Sequence, residues 1–237
     1  MSLSLNISPS ETMMDGDLAR YLAVGENALR AIQATPGLVA PHSILDLPCG
    51  HGRVARHLRA AYPDAGLFVA DLDEPGADFC AAEFGATKLV STPDFNAIEF
   101  GRRFDLIWVG SLITHLDAQA TRSFFGFLAR HLSADGSAVV SSHGAFVAGR
   151  LFLAQRALYG LSMAEEADIL AQYQAGGYGY CQYPHQDGYG ISLASRHWIR
   201  DAAAAAGLAV VSHEDHAWDN HQDVVVLRHS EGSPQRG

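Results

Sequence analysis

Residues 43–53 read SILDLPCGHGR, a short apolar run that ends in an acidic residue and continues into a glycine-rich turn. The run Ser43–Leu47 predicts a buried β-strand, with Asp46 at its end. Gly50 and Gly52 allow a sharp turn and a close approach of a ligand to the backbone. The helix expected next begins with unpaired N–H groups that point into the same space, so the stretch predicts a strand, a ligand-binding loop and a helix.

Short apolar runs alternate with helical patterns along most of the chain. This alternation indicates a parallel sheet with crossover helices. The predicted strands are Ser43–Leu47, Leu67–Asp71, Lys88–Ser91, Phe104–Val109, Ala138–Ser142, Leu208–His213 and Asp223–Arg228. The predicted helices are Asp17–Ala34, one carrying Val54, Leu58 and Ala61 on an apolar face, Glu74–Gly85, Thr121–Leu132 and one from Ser195 through Ala206.

Residues 144–190 break the alternation. A helix-like part, Arg150–Tyr173, precedes a run in which glycines and tyrosines are interleaved, from Gly176 to His185. Such a run suits a mobile lid over a site, although core packing explains the tyrosines equally well. We therefore expect a single domain over residues 1–237, with a helical cap at 1–40 and a lid or substrate insertion at 144–190.

The composition restricts the class of partner and the compartment. The formal net charge of -10 over 237 residues argues against a nucleic-acid partner, because phosphate backbones are bound by clusters of Lys and Arg. The three cysteines are too scattered for a disulfide framework, and no apolar run reaches the roughly 18 residues of a membrane span. We expect a soluble, cytoplasmic protein without a membrane span.

The glycine loop leaves two cofactor classes open. The spacing of Gly50, Gly52 and Ala55 also satisfies a relaxed dinucleotide fingerprint, so a nicotinamide-dependent oxidoreductase is one reading. Asp46 favours the other reading, because a carboxylate would repel a pyrophosphate but would pair with the ammonium group of S-adenosylmethionine. Asp71 is placed to accept hydrogen bonds from ribose hydroxyls, which both cofactors carry.

The stretch Ile44–Arg53 resembles the first motif of the class I S-adenosylmethionine-dependent methyltransferases, usually written D-x-G-C-G-x-G. Pro48 replaces the first glycine, which alters the start of the loop. Residues 68–73, 91–95 and 104–112 resemble the next three motifs in order and spacing, so the similarity spans about residues 44–144. The resemblance implies a Rossmann-like fold, a mainly parallel seven-stranded sheet with helices on both faces and an antiparallel last strand.

The resemblance also implies roles for single residues. Asp46 would lie near the amino group of the cofactor, Asp71 would hold the ribose and Leu72 would pack on the adenine. The other implied cofactor contacts are Gly50 and Gly52 beneath the methionine part, Asp94 and Phe95 at the adenine edge, and Gly110 and Ser111 at the sulfonium end.

Histidines are the candidates for a catalytic base, since imidazole exchanges protons near neutral pH. His115 and His143 are preferred because each follows a strand whose end faces the crevice of an open α/β sheet. His213, His216 and His221, with Asp215, Asp219 and Asp223, have no established metal-ligand spacing, so no metal site is predicted.

The acceptor is expected to be a small molecule or a glycan. Its candidate contacts are Tyr178, Tyr180, Tyr183, His185, Trp218 and His221, since flat faces and hydroxyl groups suit a sugar or a phenol. The favoured activity is O-methylation. The alternatives are the oxidoreductase and a noncatalytic S-adenosylmethionine-binding module; the oligomeric state does not follow from the sequence.

Overall fold

The structure, a computed structural model, describes residues 2–154 and 156–230. Its main sheet has seven strands: β1 Ser43–Asp46, β2 Gly66–Val69, β3 Thr87–Lys88, β4 Phe104–Val109, β5 Leu132–Ser142, β8 Leu208–Trp218 and β9 Gln222–His229. A two-stranded sheet consists of β6 Tyr178–Gln182 and β7 Gly190–Ala194. The helices are α1 Leu18–Gln33, α2 Ala55–Ala61, α3 Glu74–Phe84, α4 Ala118–His131, α5 Ala145–Leu153, α6 Met163–Gly176 and α7 Arg196–Ala205.

The main sheet is mostly parallel, in the order β3-β2-β1-β4-β5-β9-β8. Strands β1 to β5 pair in parallel, whereas β9 pairs antiparallel with both β5 and β8. The expected Rossmann-like sheet with an antiparallel last strand is therefore confirmed. None of the helices among the described residues is long and apolar enough to cross a bilayer.

Both faces of the sheet are buried. Along β4, Ile107 and Val109 belong to an apolar cluster with α4 and α7, whereas Leu106 and Trp108 belong to a second cluster with α1, α2 and α3. Alternate residues of a strand point to opposite faces, so a strand covered on both sides reads as one continuous apolar run. Strand β4 has this continuous apolar pattern, and its observed bounds are the predicted ones, Phe104–Val109.

Polar side chains cap the first turns of several helices, and Ser195 does so at the position expected from the sequence. Asp117 and Ser195 accept hydrogen bonds from backbone N–H groups of α4 and α7, and Ser162 forms a reciprocal capping box with Glu165 at the start of α6. Because α4 follows the loop after β4, its capping fixes the chain next to the carboxyl end of the sheet.

The small sheet packs on its own apolar cluster, which includes Val147, Leu161, Ile169 and Leu193. Strand β7 also extends the hydrogen bonding of the central sheet region, because Ser192 N–H donates to the carbonyl of Thr114 at 2.8 Å. The β6–β7 hairpin is thereby fastened beside the ends of β4 and β5.

Three predicted elements are corrected by the structure. The helix expected over Arg150–Tyr173 is two helices: α5 ends at Leu153, α6 begins at Met163, and the positive φ angles of Tyr159 and Gly160 between them are incompatible with one continuous helix. The segment Gly176–His185 contains strand β6 rather than only a glycine-rich lid. The predicted strand Lys88–Ser91 is the two-residue edge strand β3, which pairs only with Phe68 and Val69 among the described residues.

Candidate functional site

A cleft of about 950 Å³ opens at the carboxyl ends of the parallel strands. It lies where the strand order reverses between β1 and β4, the usual position of a ligand site in an open α/β sheet. Its glycine-loop half is lined by Asp46, Gly50, Asp71, Leu72, Phe95, Gly110 and Ser111. Its histidine half is lined by His115, Asp117, His143, Tyr159, Tyr183, Asp187, Tyr189, Asp219 and His221.

Asp46 lies at the floor of the glycine-loop half with only 1% of its surface exposed. Neither of its carboxylate oxygens has a hydrogen-bond partner in the described part of the chain. Burial, together with nearby Asp71, raises the pKa of Asp46 well above its ordinary value, against smaller opposing effects of Ala55 N–H and Arg53. A buried, unpaired carboxyl that lines a cleft is suited to a ligand that brings a positive charge or several N–H donors.

Asp71 fixes the glycine loop from the neighbouring strand. One carboxylate oxygen accepts a hydrogen bond from Gly50 N–H at 2.7 Å, and the other accepts from Asp73 N–H at 2.9 Å. Each oxygen keeps a further lone pair that can accept a hydroxyl group. Asp71 therefore holds the loop and still offers acceptor sites towards the cleft.

The two positions in the loop require glycine for different structural reasons. Both have positive φ angles, +49° at Gly50 and +84° at Gly52. A Cβ at Gly50 would enter open space, whereas a Cβ at Gly52 would lie 2.3 Å from the ring of Phe84 and 3.1 Å from Cys80 Sγ. Gly50 lines the cleft, and Gly52 instead lets α3 pack closely against the loop.

An N-terminal segment, residues 4–13, closes one side of the glycine-loop half. His51 bonds to Ser8 Oγ at 2.8 Å and to Asp73 at 2.9 Å, which ties this segment to the loop. Arg56 donates to the carbonyls of Ser4 and Asn6. As a result, residues 10–13 line the cleft.

A polar network supports the far end of the glycine-loop half. Ser111, with φ of +55°, donates its N–H to Ser141 Oγ at 2.8 Å. The Gln222 amide donates to Ser111 Oγ at 2.8 Å and accepts from Ser141 Oγ at 2.6 Å. These three side chains come from the ends of β4, β5 and β9, so the network fixes Gly110 and Ser111 at the centre of the cleft.

Trp218 packs directly behind this network. A Cβ on Gly110 would lie 2.9 Å from the Trp218 ring, whose Nε1–H donates to the carbonyl of Val24 at 3.0 Å. The ring also meets Trp108 edge to face at 5.1 Å. Trp218 is thus a buried wall of the cleft, held by α1 and β4.

Two histidines of the other half have fixed tautomers. His115 Nδ1 lies 2.7 Å from the carbonyl of Gly190, and His143 Nδ1 lies 3.2 Å from the carbonyl of Ser192. A carbonyl oxygen only accepts, so each Nδ1 carries the proton and each neutral ring keeps a lone pair on Nε2. Burial lowers the pKa of His143 to about 3 and also lowers the pKa of His115.

Aromatic rings surround these histidines. His115 stacks on Tyr189 with ring centroids 4.5 Å apart, and Tyr183 lies 5.9 Å from Tyr189. On the other side, His143 lies 5.4 Å from Tyr159 and 5.7 Å from His221. The histidine half therefore has flat walls on two sides and unprotonated imidazole nitrogens.

Residues 44–136 match a family profile described as a methyltransferase domain. The matched stretch runs from β1 into β5 and includes the glycine loop, so this part of the chain is similar to methyltransferase domains. The Rossmann-like fold expected from residues 44–144 is confirmed, and the methyltransferase match favours S-adenosylmethionine over the nicotinamide cofactor of the alternative reading. No curated protein sequence matches the chain significantly.

Solved structures share this fold at low sequence identity. A S-adenosylmethionine-dependent methyltransferase from Clostridium acetobutylicum ATCC 824 is 13% identical, with a TM-score of 0.60 over 92% of this chain and 96% of that one. An O-methyltransferase family protein from Burkholderia thailandensis is 14% identical, with a TM-score of 0.62 over 91% of this chain and 59% of that one. Human N-acetylserotonin methyltransferase in complex with SAM is 11% identical, with a TM-score of 0.57 over 87% and 51% of the two chains.

Most of the residues expected at the methyltransferase site line the cleft. Leu72 lies at the rim of the cleft and is 60% exposed. Phe95 also lines the cleft, and its ring packs on the ring of Phe124 with centroids 4.9 Å apart. Asp94 is exposed, does not line the cleft, and accepts a hydrogen bond from Asn96 N–H. The residues that line it as expected are Asp46, Gly50, Asp71, Leu72, Phe95, Gly110, Ser111, His115, His143, Tyr183, Trp218 and His221.

Three of the predicted acceptor contacts lie elsewhere. Tyr178 is half-buried and does not line the cleft; its hydroxyl donates to the carbonyl of Leu116 at 2.8 Å and bonds to Thr121 at 2.9 Å. Tyr180 and His185 do not line the cleft either, because the pleat of β6 and the turn after it direct them away. The expected acceptor role of these three residues is therefore not supported by their positions.

The remaining histidines and aspartates form a hydrogen-bonded cluster. His213, Asp215 and Asp223 offer ligand atoms within 4.8 Å of one another. However, Asp223 already bonds to His213 at 3.0 Å and accepts His216 N–H, and Asp215 pairs with Arg196 at 2.9 Å. The group lies outside the cleft, whereas His221 belongs to the histidine half.

Sequence reasoning missed several cleft residues. Tyr159 reaches the histidine half from the connection between α5 and α6, and Gln222 and Ser141 form the network under Ser111. The Tyr159-Gly160 pair was a local signal for a break between helices. Residues 10–13 and Gln222 carried no local signal, because long-range packing alone brings them to the cleft.

Proposed function

We propose that this methyltransferase transfers the methyl group of S-adenosylmethionine to a hydroxyl oxygen of a small molecule or glycan. The observation that carries the proposal is the position of His115 and His143, which present neutral imidazole nitrogens in the same cleft as Asp46. One end of the cleft suits a cationic aminoacyl group, and the other suits a hydroxyl donor.

The glycine-loop half fits S-adenosylmethionine. The two unpaired oxygens of Asp46 would accept hydrogen bonds from its ammonium group, and the free lone pairs of Asp71 would accept from its ribose. Leu72 at the rim would cover the adenine, and Gly110 and Ser111 would line the reacting end. When bound, the cofactor supplies a methyl group on a positively charged sulfur atom, and the C–S electron pair stays on the sulfur.

We assign different tasks to the two histidines. His115 is the base: its Nε2 accepts the hydroxyl proton, and its Nδ1–H stays bonded to Gly190, which stabilises the charged ring. His143 is a poorer base, since burial lowers its pKa to about 3, so it accepts a hydrogen bond and orients the hydroxyl group. Much of the acceleration then comes from holding the two reactants in line.

A noncatalytic S-adenosylmethionine-binding module is the remaining alternative. Such a module would also bind the cofactor in the glycine-loop half. Cofactor binding alone, however, does not explain why two histidines with fixed tautomers line the histidine half. The two readings differ in one result: a module binds the cofactor and transfers no methyl group to any acceptor.

The test uses isotopically methyl-labelled S-adenosylmethionine, a panel of hydroxylated acceptors and the variant His115→Gln. We expect labelled ether products, and a kcat about a hundredfold or more lower in the variant with unchanged cofactor affinity. The wild-type rate should fall on the acid side, at a pH below the ordinary histidine value of about 6.5, as His115 is protonated. His42→Gln, at an exposed position, is the matched control.

Cofactor binding without transfer to any acceptor would favour the noncatalytic module. Full activity in His115→Gln would remove the proposed base.

A further inference from the structure

We propose that the acceptor is a hydroxylated aromatic molecule without a negative charge, and that Asp187 and Asp219 set this preference. The inference rests on the proposed function, because it concerns the acceptor of the same reaction. It is carried by the shape, the charge and the hydrogen-bonding capacity of the histidine half.

The shape of the histidine half favours a flat ring. Tyr189 stacks on His115 with an interplanar angle of 18°, and Tyr183 extends the same wall. Tyr159 and His143 form the other wall. Aromatic rings on two sides of this half favour a planar aromatic ligand, whereas a polyhydroxylated sugar would need more polar partners.

The charges of the histidine half have one sign. Three carboxylates line it, those of Asp117, Asp187 and Asp219, and no Lys or Arg side chain among the described residues lines it. Two arginines border this half without lining it: Arg20 pairs with Asp219 at 3.4 Å while 70% exposed, and Arg150 lies 3.4 Å from the hydroxyl of Tyr159. An anionic substituent would meet the repulsion of the lining carboxylates and would find no ion-pair partner among the side chains that line this half.

The rest of the cleft also contains more acidic than basic side chains. Its one lining arginine in the described part of the chain is Arg53, whose guanidinium lies 5.7 Å from the centroid of the Trp218 ring. Asp46, Asp71 and Asp73 line the glycine-loop side. A bound S-adenosylmethionine, with a net positive charge, offsets part of this potential and leaves the acceptor end acidic.

The hydrogen-bonding capacity of the two histidines also disfavours an anionic acceptor, independently of the lining charges. The Nδ1–H groups of His115 and His143 already donate to the carbonyls of Gly190 and Ser192. Each Nε2 can therefore only accept, which selects a ligand that donates O–H or N–H groups. A carboxylate, which only accepts, has no partner at these two nitrogens, and burial opposes protonation of the histidines.

The experiment measures binding of three phenols that share one ring and differ in the charge of the side chain. Tyramine is a cation, 4-ethylphenol is neutral and 3-(4-hydroxyphenyl)propionate is an anion. Calorimetry is done on the protein saturated with S-adenosylhomocysteine, so no methyl transfer is needed. We expect tyramine and 4-ethylphenol to bind roughly tenfold or more tightly than the propionate, as one unpaired charge in a surface cleft requires.

Variants assign the preference to the two aspartates. The double variant Asp187→Asn with Asp219→Asn should lose most of the discrimination, and Asp187→Lys should bind the propionate more tightly than the wild type does. Asp64→Asn, at an exposed position outside the cleft, is the control and should discriminate like the wild type. Unchanged S-adenosylhomocysteine affinity shows that the variants are folded.

Equal or tighter binding of the propionate by the wild type would overturn the charge preference. Binding of none of the three phenols would overturn the aromatic class, and unchanged discrimination in the double variant would remove the two aspartates as its cause. Failure of the proposed function looks different: the phenols bind with the expected order, but no methyl group reaches a hydroxyl oxygen.

Discussion

Asp46 and Asp71 lie at the ends of neighbouring parallel strands, yet only Asp71 has hydrogen-bond partners in the described structure. Asp71 holds the backbone of the glycine loop, and its charge helps to raise the pKa of Asp46. An unpaired buried polar group costs about 1–3 kcal/mol. The ligand-free protein therefore keeps a destabilising group in its cleft, which a cationic ligand would satisfy.

The two loop glycines should respond differently to alanine. Gly52→Ala forces a methyl group against Phe84 at a positive φ, so we expect a loss of about 2–4 kcal/mol in the free energy of unfolding. Gly50→Ala meets no neighbour and should cost about 1 kcal/mol from backbone strain alone. Urea unfolding measures both, and equal losses would contradict the packing role of Gly52.

Tyr178→Phe tests whether this side chain belongs to the core. Removing its bonds to Leu116 and Thr121 should lower the free energy of unfolding by about 1 kcal/mol and leave the KM of the acceptor unchanged. Tyr189→Leu is the matched variant in the cleft and should raise that KM. A raised KM in Tyr178→Phe, at unchanged stability, would restore Tyr178 as an acceptor contact.

Burial of His143 should make stability depend on pH. Its pKa is lowered to about 3 in the folded protein, below the ordinary value, so its contribution to stability is present above pH 6.5 and is lost as the pH falls towards 3. The slope in this range is at most about 1.4 kcal/mol per pH unit, the value for one proton. Unfolding measured at several pH values should show a smaller slope for His143→Gln and no such change for His42→Gln.

Local sequence patterns were sufficient for the parts of the site that local structure builds. The run before Asp46 is apolar because β1 is covered on both faces, and Gly50 has a positive φ in a tight turn. Both features follow from neighbouring residues. The position of Asp46 in the cleft could therefore be predicted without knowledge of the remaining fold.

Long-range packing decides the rest. Ser8 reaches His51 across 43 residues, and Gln222 reaches Ser111 across 111 residues. The Gly-Tyr-Gly-Tyr pattern of β6 fixes neither the pairing partner of the strand nor the face that meets α4. The sequence pattern is therefore compatible with Tyr178 in the cleft or in the core. The pairing of Tyr178 with Ala194 fixes the register of β6 and so the face on which this side chain lies.

The most direct test of the central claim is calorimetry of S-adenosylmethionine binding in two buffers with different ionisation enthalpies. Because burial raises the pKa of Asp46 and a bound ammonium group would lower it again, proton release on binding should grow as the pH of the buffers is lowered. Asp46→Asn should lose this release and bind about 10–100-fold more weakly without losing stability. Asp105→Asn is the control: its carboxylate is bonded to His42 N–H, Ser43 N–H and Ser133 Oγ near the amino end of β4, away from the cleft, so the variant should lose stability and keep affinity. If Asp46→Asn binds as tightly as the wild type and releases the same number of protons, Asp46 does not hold the cofactor.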